Sequence, residues 1–170
     1  MDSPLHATLT ELVAALRDRK LSAVELMQAV LTATETTAAL NAWVEQRDAD
    51  TLLAEARLAD ERIAKGEARA LEGIPLGVKD LGDAAGLLTR HGSKLYEDAP
   101  PAERDSTQVE RLRAAGAIVV GKTTAPEFGF TAITKTVFGG ATTSPWDCSR
   151  SVGGSSGGSA ALLAGEAIPL

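Results

Sequence analysis

Apolar residues recur at helical spacing through the first part of the chain: Leu12, Val13 and Leu16, then Val24, Leu26, Met27, Val30 and Leu31. Recurrence every three to four residues marks one buried face of a helix, and Ser22 stands where the second helix needs an N-cap. A third helix is predicted from Asp48 to Lys65, with Leu52, Leu53, Ala56, Leu58, Ala59 and Ile63 on its apolar side and Gly66 as its stop. Residues 9–65 therefore read as mostly helical. The period changes at Leu71, where Ile74, Leu76 and Val78 alternate with Pro75, Gly77 and Lys79, the spacing of a strand. Ser106 or Asp105 can cap a further helix carrying Val109, Leu112 and Ala115, which Gly116 closes; Ala117–Val120 then reads as a buried strand. Strand, helix and strand at this spacing predict a βαβ unit, hence an α/β sheet behind an N-terminal helical layer.

From Thr123 to Ser151 the pattern weakens into Gly, Thr, Ser and Pro, which predicts loops lining something. It ends in the run Gly153-Gly154-Ser155-Ser156-Gly157-Gly158-Ser159, followed by Ala160-Ala161-Leu162-Leu163-Ala164. A flexible linker would continue in Gly and Ser. This run passes into good helix formers, so it reads as a tight loop closing onto a helix N-terminus, where serine hydroxyls meet unpaired backbone N–H groups.

Composition narrows the field. A net charge of −6 gives the chain nothing to draw it directly to nucleic acid or an anionic membrane. The lone Cys148 excludes an internal disulfide, no Cys/His cluster suggests a metal, and no cofactor motif survives inspection. Met1-Asp2-Ser3-Pro4 lacks the basic and apolar regions of a signal peptide, and no apolar run approaches a membrane span, so a cytoplasmic location is expected.

One motif has to be refused. Gly116-Ala117-Ile118-Val119-Val120-Gly121-Lys122-Thr123 satisfies the written form G-x-x-x-x-G-K-[ST] of a phosphate loop. Such a loop follows a strand and curls into a helix, whereas here a helix precedes Gly116 and three β-branched residues favour extension. Pro126 would also remove an N–H from the first turns of the required helix. Gly153–Ser159 fails for a different reason: Ser159 follows Gly158 where a lysine would be needed.

Ser155 remains as a candidate, with a turn residue as its plainer reading. Histidine is the usual base for a reactive serine, but His6 sits near the N-terminus and His91 lies in a polar stretch between Arg90 and Gly92. Both read better as ordinary solvated histidines, which disfavours a Ser-His-Asp triad and leaves a lysine as base. Lys79 ends the alternating strand, on a face whose Pro75 and Gly77 leave room around its stem. A lysine at a strand end is commonly a surface charge. To serve as a base it must be neutral, and burial or a nearby cation would have to lower it from an ordinary value of about 10.4.

Three blocks now carry a resemblance. Gly73-Ile74-Pro75-Leu76-Gly77-Val78-Lys79-Asp80, Gly121-Lys122-Thr123-Thr124-Ala125-Pro126-Glu127-Phe128-Gly129 and Gly153–Ser159 stand in the order seen in the amidase signature family, serine hydrolases of amides that include the A subunit of the glutamyl-tRNA amidotransferase. The resemblance is strong over about residues 71–168 and general over the helical N-terminus. It implies a mixed β-sheet core flanked by helices, and a single incomplete domain in which residues 1–70 form the helical layer and 71–170 begin the α/β core. The P-loop lookalike becomes a family strand and turn.

The family uses a Ser–cisSer–Lys triad. By the resemblance Lys79 is the catalytic lysine and Ser155 the bridging serine, joined to its predecessor by a cis peptide; Ser156 is expected to steady the network, and Gly129 to wall the acyl pocket. The nucleophilic serine and oxyanion hole belong to a second glycine-rich block that would fall beyond Leu170, so residues 1–170 alone are expected to be inactive. A truncated or cleaved chain, or a shortened gene, is the expectation. The substrate of the full-length parent would be a small-molecule amide. A homodimer or a complementary chain supplying the rest of the sheet are the partner classes left open. Val152 and Ser144 depart from residues common in the family, at positions that shape the loop. Asp80-Leu81-Gly82 lacks the asparagine typical of the tRNA amidotransferase component, which favours a general amidase over that component; a non-catalytic interaction remnant is the other alternative left open.

Overall fold

Three helices form the first layer of the computed structural model, which describes residues 3–170; Met1 and Asp2 of the N-terminal stretch lie outside the described residues. They are α1 (Leu9–Arg17), α2 (Ala23–Thr36) and α3 (Ala49–Ala64). Two of them start on capping boxes: Thr8 with Glu11, and Ser22 with Glu25, each pair exchanging side-chain and backbone hydrogen bonds. Asp48 caps α3 through Thr51 N. Asp60 reaches across from α3, accepting from Ala23 N at 2.6 Å and Val24 N at 3.2 Å, so the start of α2 is held from two sides. We expect Ser22→Ala to cost about 1 kcal/mol in urea unfolding, because the carboxylate of Asp60 still satisfies part of that helix end.

The helical layer packs on a three-stranded sheet of order β1-β3-β2, with β1 at Trp43–Gln46, β2 at Pro75–Lys79 and β3 at Ile118–Thr123. β2 and β3 run parallel and are joined through α4 (Thr107–Ala114), which realises the predicted βαβ unit; β1 pairs antiparallel with β3, making the sheet mixed. The fold is α/β. Leu12, Leu16, Leu26, Met27, Val30, Leu52 and Ala56 are buried together with Ile74, Ile118 and Val120, while Leu76, Val78 and Val119 turn to the other face and meet Val109 of α4.

Several expectations need correction. β1 interrupts the stretch read as mostly helical: four residues are too short to show a period, and the strand exists because it pairs with residues some eighty positions away. β3 runs past Val120 through Gly121, Lys122 and Thr123, so the P-loop lookalike is extended along its last residues and binds its neighbours through ladder bonds. Ser106 occupies the N-cap of α4 without making a side-chain cap; Asp105 instead accepts from Ala85 N at 2.7 Å and pairs with Arg113 at 3.1 Å. The segment 123–151 is less irregular than its composition suggests. It forms two short antiparallel ladders, β4 (Lys135–Thr136) with β5 (Gly140–Ala141), and β6 (Thr143–Ser144) with β7 (Asp147–Ser151). The final helix, α5 (Gly157–Ala164), begins within the glycine run itself.

Candidate active site

The side chains of neighbouring residues on a strand point to opposite faces. Lys79, in register with Thr123, faces α5; Val78, in register with Lys122, faces α4. Thr123 Oγ1 meets Ser159 Oγ of α5 at 2.7 Å, which ties the end of β3 to the helix following the serine loop. Thr134 pins the loop from the other side, its N–H donating to Gly153 O and its hydroxyl accepting from Gly157 N at 3.1 Å.

Between these anchors the Gly154–Ser155 peptide bond is cis, as the resemblance implied. Lys79 Nζ donates to Ser155 Oγ at 2.7 Å, across seventy-six positions of sequence. Burial pushes the pKa of Lys79 below the ordinary lysine value. Lys79 is therefore placed as a partly buried amine against a hydroxyl, the arrangement in which a neutral lysine can take a proton from a serine.

Gly129 lies beside the pair. Its φ of +69° falls in the left-handed region, and a Cβ there would stand 3.7 Å from Ser155 Oγ and 2.7 Å from Leu81 Cδ1. A side chain at this position would be strained by the backbone and would press on the tip of Leu81. Ser156 is different from expectation. It is exposed and makes no side-chain hydrogen bond among the described residues, because it sits at the N-cap of α5 with its neighbour's hydroxyl, not its own, turned to Lys79. The histidines stand apart: His6 Nε2 pairs with Glu166 at 2.7 Å, and the His91 ring packs edge-on to Tyr96 with centroids 4.8 Å apart.

Sequence reasoning passed over Asp80 and Lys122. Both side chains are fully buried, with Lys122 Nζ 3.7 Å from Asp80 Oδ1. Lys122 also donates to Thr89 Oγ1 at 2.8 Å and Leu88 O at 3.1 Å. The signal in the sequence is the lysine of the Gly116–Thr123 block, whose burial no local pattern shows.

The Amidase family model matches residues 25–170. The chain belongs to the amidase signature family. The glutamyl-tRNA(Gln) amidotransferase A subunit of Coxiella burnetii (strain Dugway 5J108-111) is 41% identical over 163 residues, covering 95% of this chain and 33% of that protein. Its counterpart in Azoarcus sp. (strain BH72) is 44% identical over 167 residues, covering 98% of this chain and 34% of its own length. Among solved structures of similar fold, the peptide amidase from Stenotrophomonas maltophilia has a TM-score of 0.86 at 33% identity, covering 95% of this chain and 34% of its own. A chain from a vestigial protein complex connected with the origins of an s-triazine catabolic enzyme has a TM-score of 0.90 at 34% identity, covering 95% of this chain and 36% of its own. This amidase signature chain thus spans about a third of the length of the curated relatives it matches. No helix among the described residues is long and apolar enough to cross a membrane.

Proposed function

We propose that residues 1–170 carry the lysine and bridging serine of an amidase that hydrolyses a carboxylic amide to an acid and ammonia or an amine. The observation carrying this reading is the 2.7 Å contact between Lys79 Nζ and Ser155 Oγ, with Lys79 shifted toward its neutral form by burial. Neutral Lys79 takes the Ser155 proton while Ser155 takes one from the nucleophilic serine, which attacks the amide carbonyl. The lysinium then returns the proton through Ser155 to the leaving amine, so the relay ends as it began. Gly129 leaves room for the acyl group. In this reading the chain is one incomplete domain, with 1–70 as helical layer and 71–170 as the start of the core. The serine nucleophile and oxyanion hole are supplied by the sequence that relatives carry beyond this third.

The test is a splice of residues 1–170 to the remainder of the Stenotrophomonas peptide amidase, assayed for ammonia release. We expect the splice to turn over and residues 1–170 alone to show none. Stoichiometry-corrected hydrolysis by 1–170 alone would refute the division of the triad, and a folded but inert splice would count against the lysine relay.

A second reading, an amidotransferase component working with partner chains, is favoured by the 41–44% identity to that protein in Coxiella and Azoarcus. Against it stands Asp80-Leu81-Gly82, which lacks the asparagine usual there. Co-purification with partner chains of an amidotransferase would decide for this second reading.

A further inference from the structure

Lys122 is fully buried, and the reason lies in one residue of extra strand. The β2–β3 register shifts between Leu76 and Gly77, so Leu76 pairs with Val119 but Gly77 pairs with Gly121. Such a bulge re-aims every following side chain. Ile118 and Val120 lie in the core shared with the N-terminal helices, whereas Lys122 falls in register with Val78 on the α4 side. Glu45 of β1 is its register partner across the other ladder. Lys122 thus lies between two carboxylates, Asp80 and Glu45, on the face of the sheet opposite the Lys79–Ser155 contact.

Both carboxylates accept backbone hydrogen bonds from the same loop. Asp80 accepts from Arg90 N at 3.0 Å and Gly92 N at 3.2 Å; Glu45 accepts from Leu88 N at 3.1 Å. With the two bonds donated by Lys122, the loop 88–92 is strapped down over the charges. In turn His91 O accepts from Phe128 N at 2.8 Å, one residue before Gly129. Burial lowers the pKa of Lys122, and Asp80, Asp83 and Glu45 oppose that shift.

We propose that Lys122 is a positioning residue for the proposed relay, acting as the countercharge that cancels the field of Asp80 on the adjacent Lys79. This inference rests on Lys79 being the base. Asp80 follows Lys79 directly in the chain, with its side chain on the opposite face of the sheet, and a buried carboxylate there without a countercharge would favour the protonated form of the lysine. The other titratable groups contributed by the surrounding elements are Glu45 on β1, Asp83 in the turn after β2, Arg90 and His91 in the loop, and Glu127 ahead of Gly129; α5 brings no charge. Among the described residues, Lys122 is the only cation at ion-pair distance from Asp80.

The test reads the titration of Lys79 by its side-chain ¹H–¹³Cε resonances in residues 1–170. Lys122→Met removes a cation and unmasks Asp80, so the Lys79 midpoint should rise by roughly half a pH unit or more. Asp80→Asn removes the carboxylate and leaves Lys122, so the midpoint should fall by a similar amount. A purely structural role moves both the same way, upward, because either loosening lets water reach Lys79. If Lys122→Met does not fold, Lys122→Gln takes its place beside Asp80→Asn: a rise in the first with a fall in the second supports the countercharge, and any other pair of results overturns it. An unchanged midpoint in folded Lys122→Met overturns it too, leaving the base reading standing. A Lys79 midpoint at or above the ordinary value in the unsubstituted chain would instead overturn the base reading, and this inference with it.

Discussion

Replacing Lys79 by alanine in the splice of residues 1–170 to the peptide amidase remainder lowers kcat by about 10²–10⁴-fold, the range spanned by a lost general acid–base catalyst, with a much smaller change in KM. The expectation follows from where Lys79 stands: its Nζ touches Ser155 Oγ, and nothing places it against the bulk of a substrate. Lys79→Arg should be as inert as alanine, since a guanidinium keeps its charge and cannot accept a proton. The pH profile gives a second check. In the proposed relay Lys79 acts deprotonated, so kcat/KM is expected to climb with pH through its folded midpoint, which burial places below the ordinary lysine value of about 10.4. Stability obeys the same shift. Between the folded midpoint and about 10.4 the unfolded chain binds more protons at this site than the native one, so this residue's contribution to stability rises with pH across that window. Lys79→Met removes that slope. An arginine variant with near-full kcat would sink the lysine as base.

How far the site was legible in the sequence depends on how locally each part is built. Lys79 could be found because alternation over Ile74–Val78 ends on it, and Ser155 because the glycine run passes into a helix. Their contact could be inferred only through the family resemblance, since no periodicity links positions seventy-six residues apart. Helix limits were readable where capping chemistry is local, as at Ser22 and Asp48. β1 was not readable, because Trp43–Gln46 becomes a strand only by pairing with the end of β3. Lys122 was hidden for a sharper reason. Strict alternation from Ile118 would place it on the same face as Val120, and the register shift that sends it toward Asp80 leaves no mark in composition. Ser156 shows the opposite failure: adjacent serines look equivalent in sequence, yet the backbone of the loop turns only one hydroxyl toward Lys79.

Gly158→Ala should destabilise the chain by about 3 kcal/mol and draw Ser155 away from Lys79, a substitution that helix propensity alone would score as favourable. Alanine in a helix interior gains up to about 1 kcal/mol over glycine. Packing decides against it. Gly158 is buried in the first turn of α5, where its N–H donates to Thr124 O at 3.0 Å. A Cβ at this position would overlap Thr124 N, and would come within 2.6 Å of Ala42 O and of Thr124 Oγ1. Two of these three atoms are backbone, belonging to the segments beside β3 and β1, so relief requires the helix itself to move. Ser155 lies three residues earlier, and its contact with Lys79 tolerates little displacement. The urea midpoint should therefore fall, and in the splice kcat should fall with it. The exposed neighbour supplies the control: Ala160→Gly alters propensity without a buried contact and should cost no more than about 1 kcal/mol. If Gly158→Ala proves no costlier than Ala160→Gly, the close approach of α5 to the sheet is not what seats the serine loop, and Thr134, which holds Gly153 and Gly157, becomes the residue on which the seating depends.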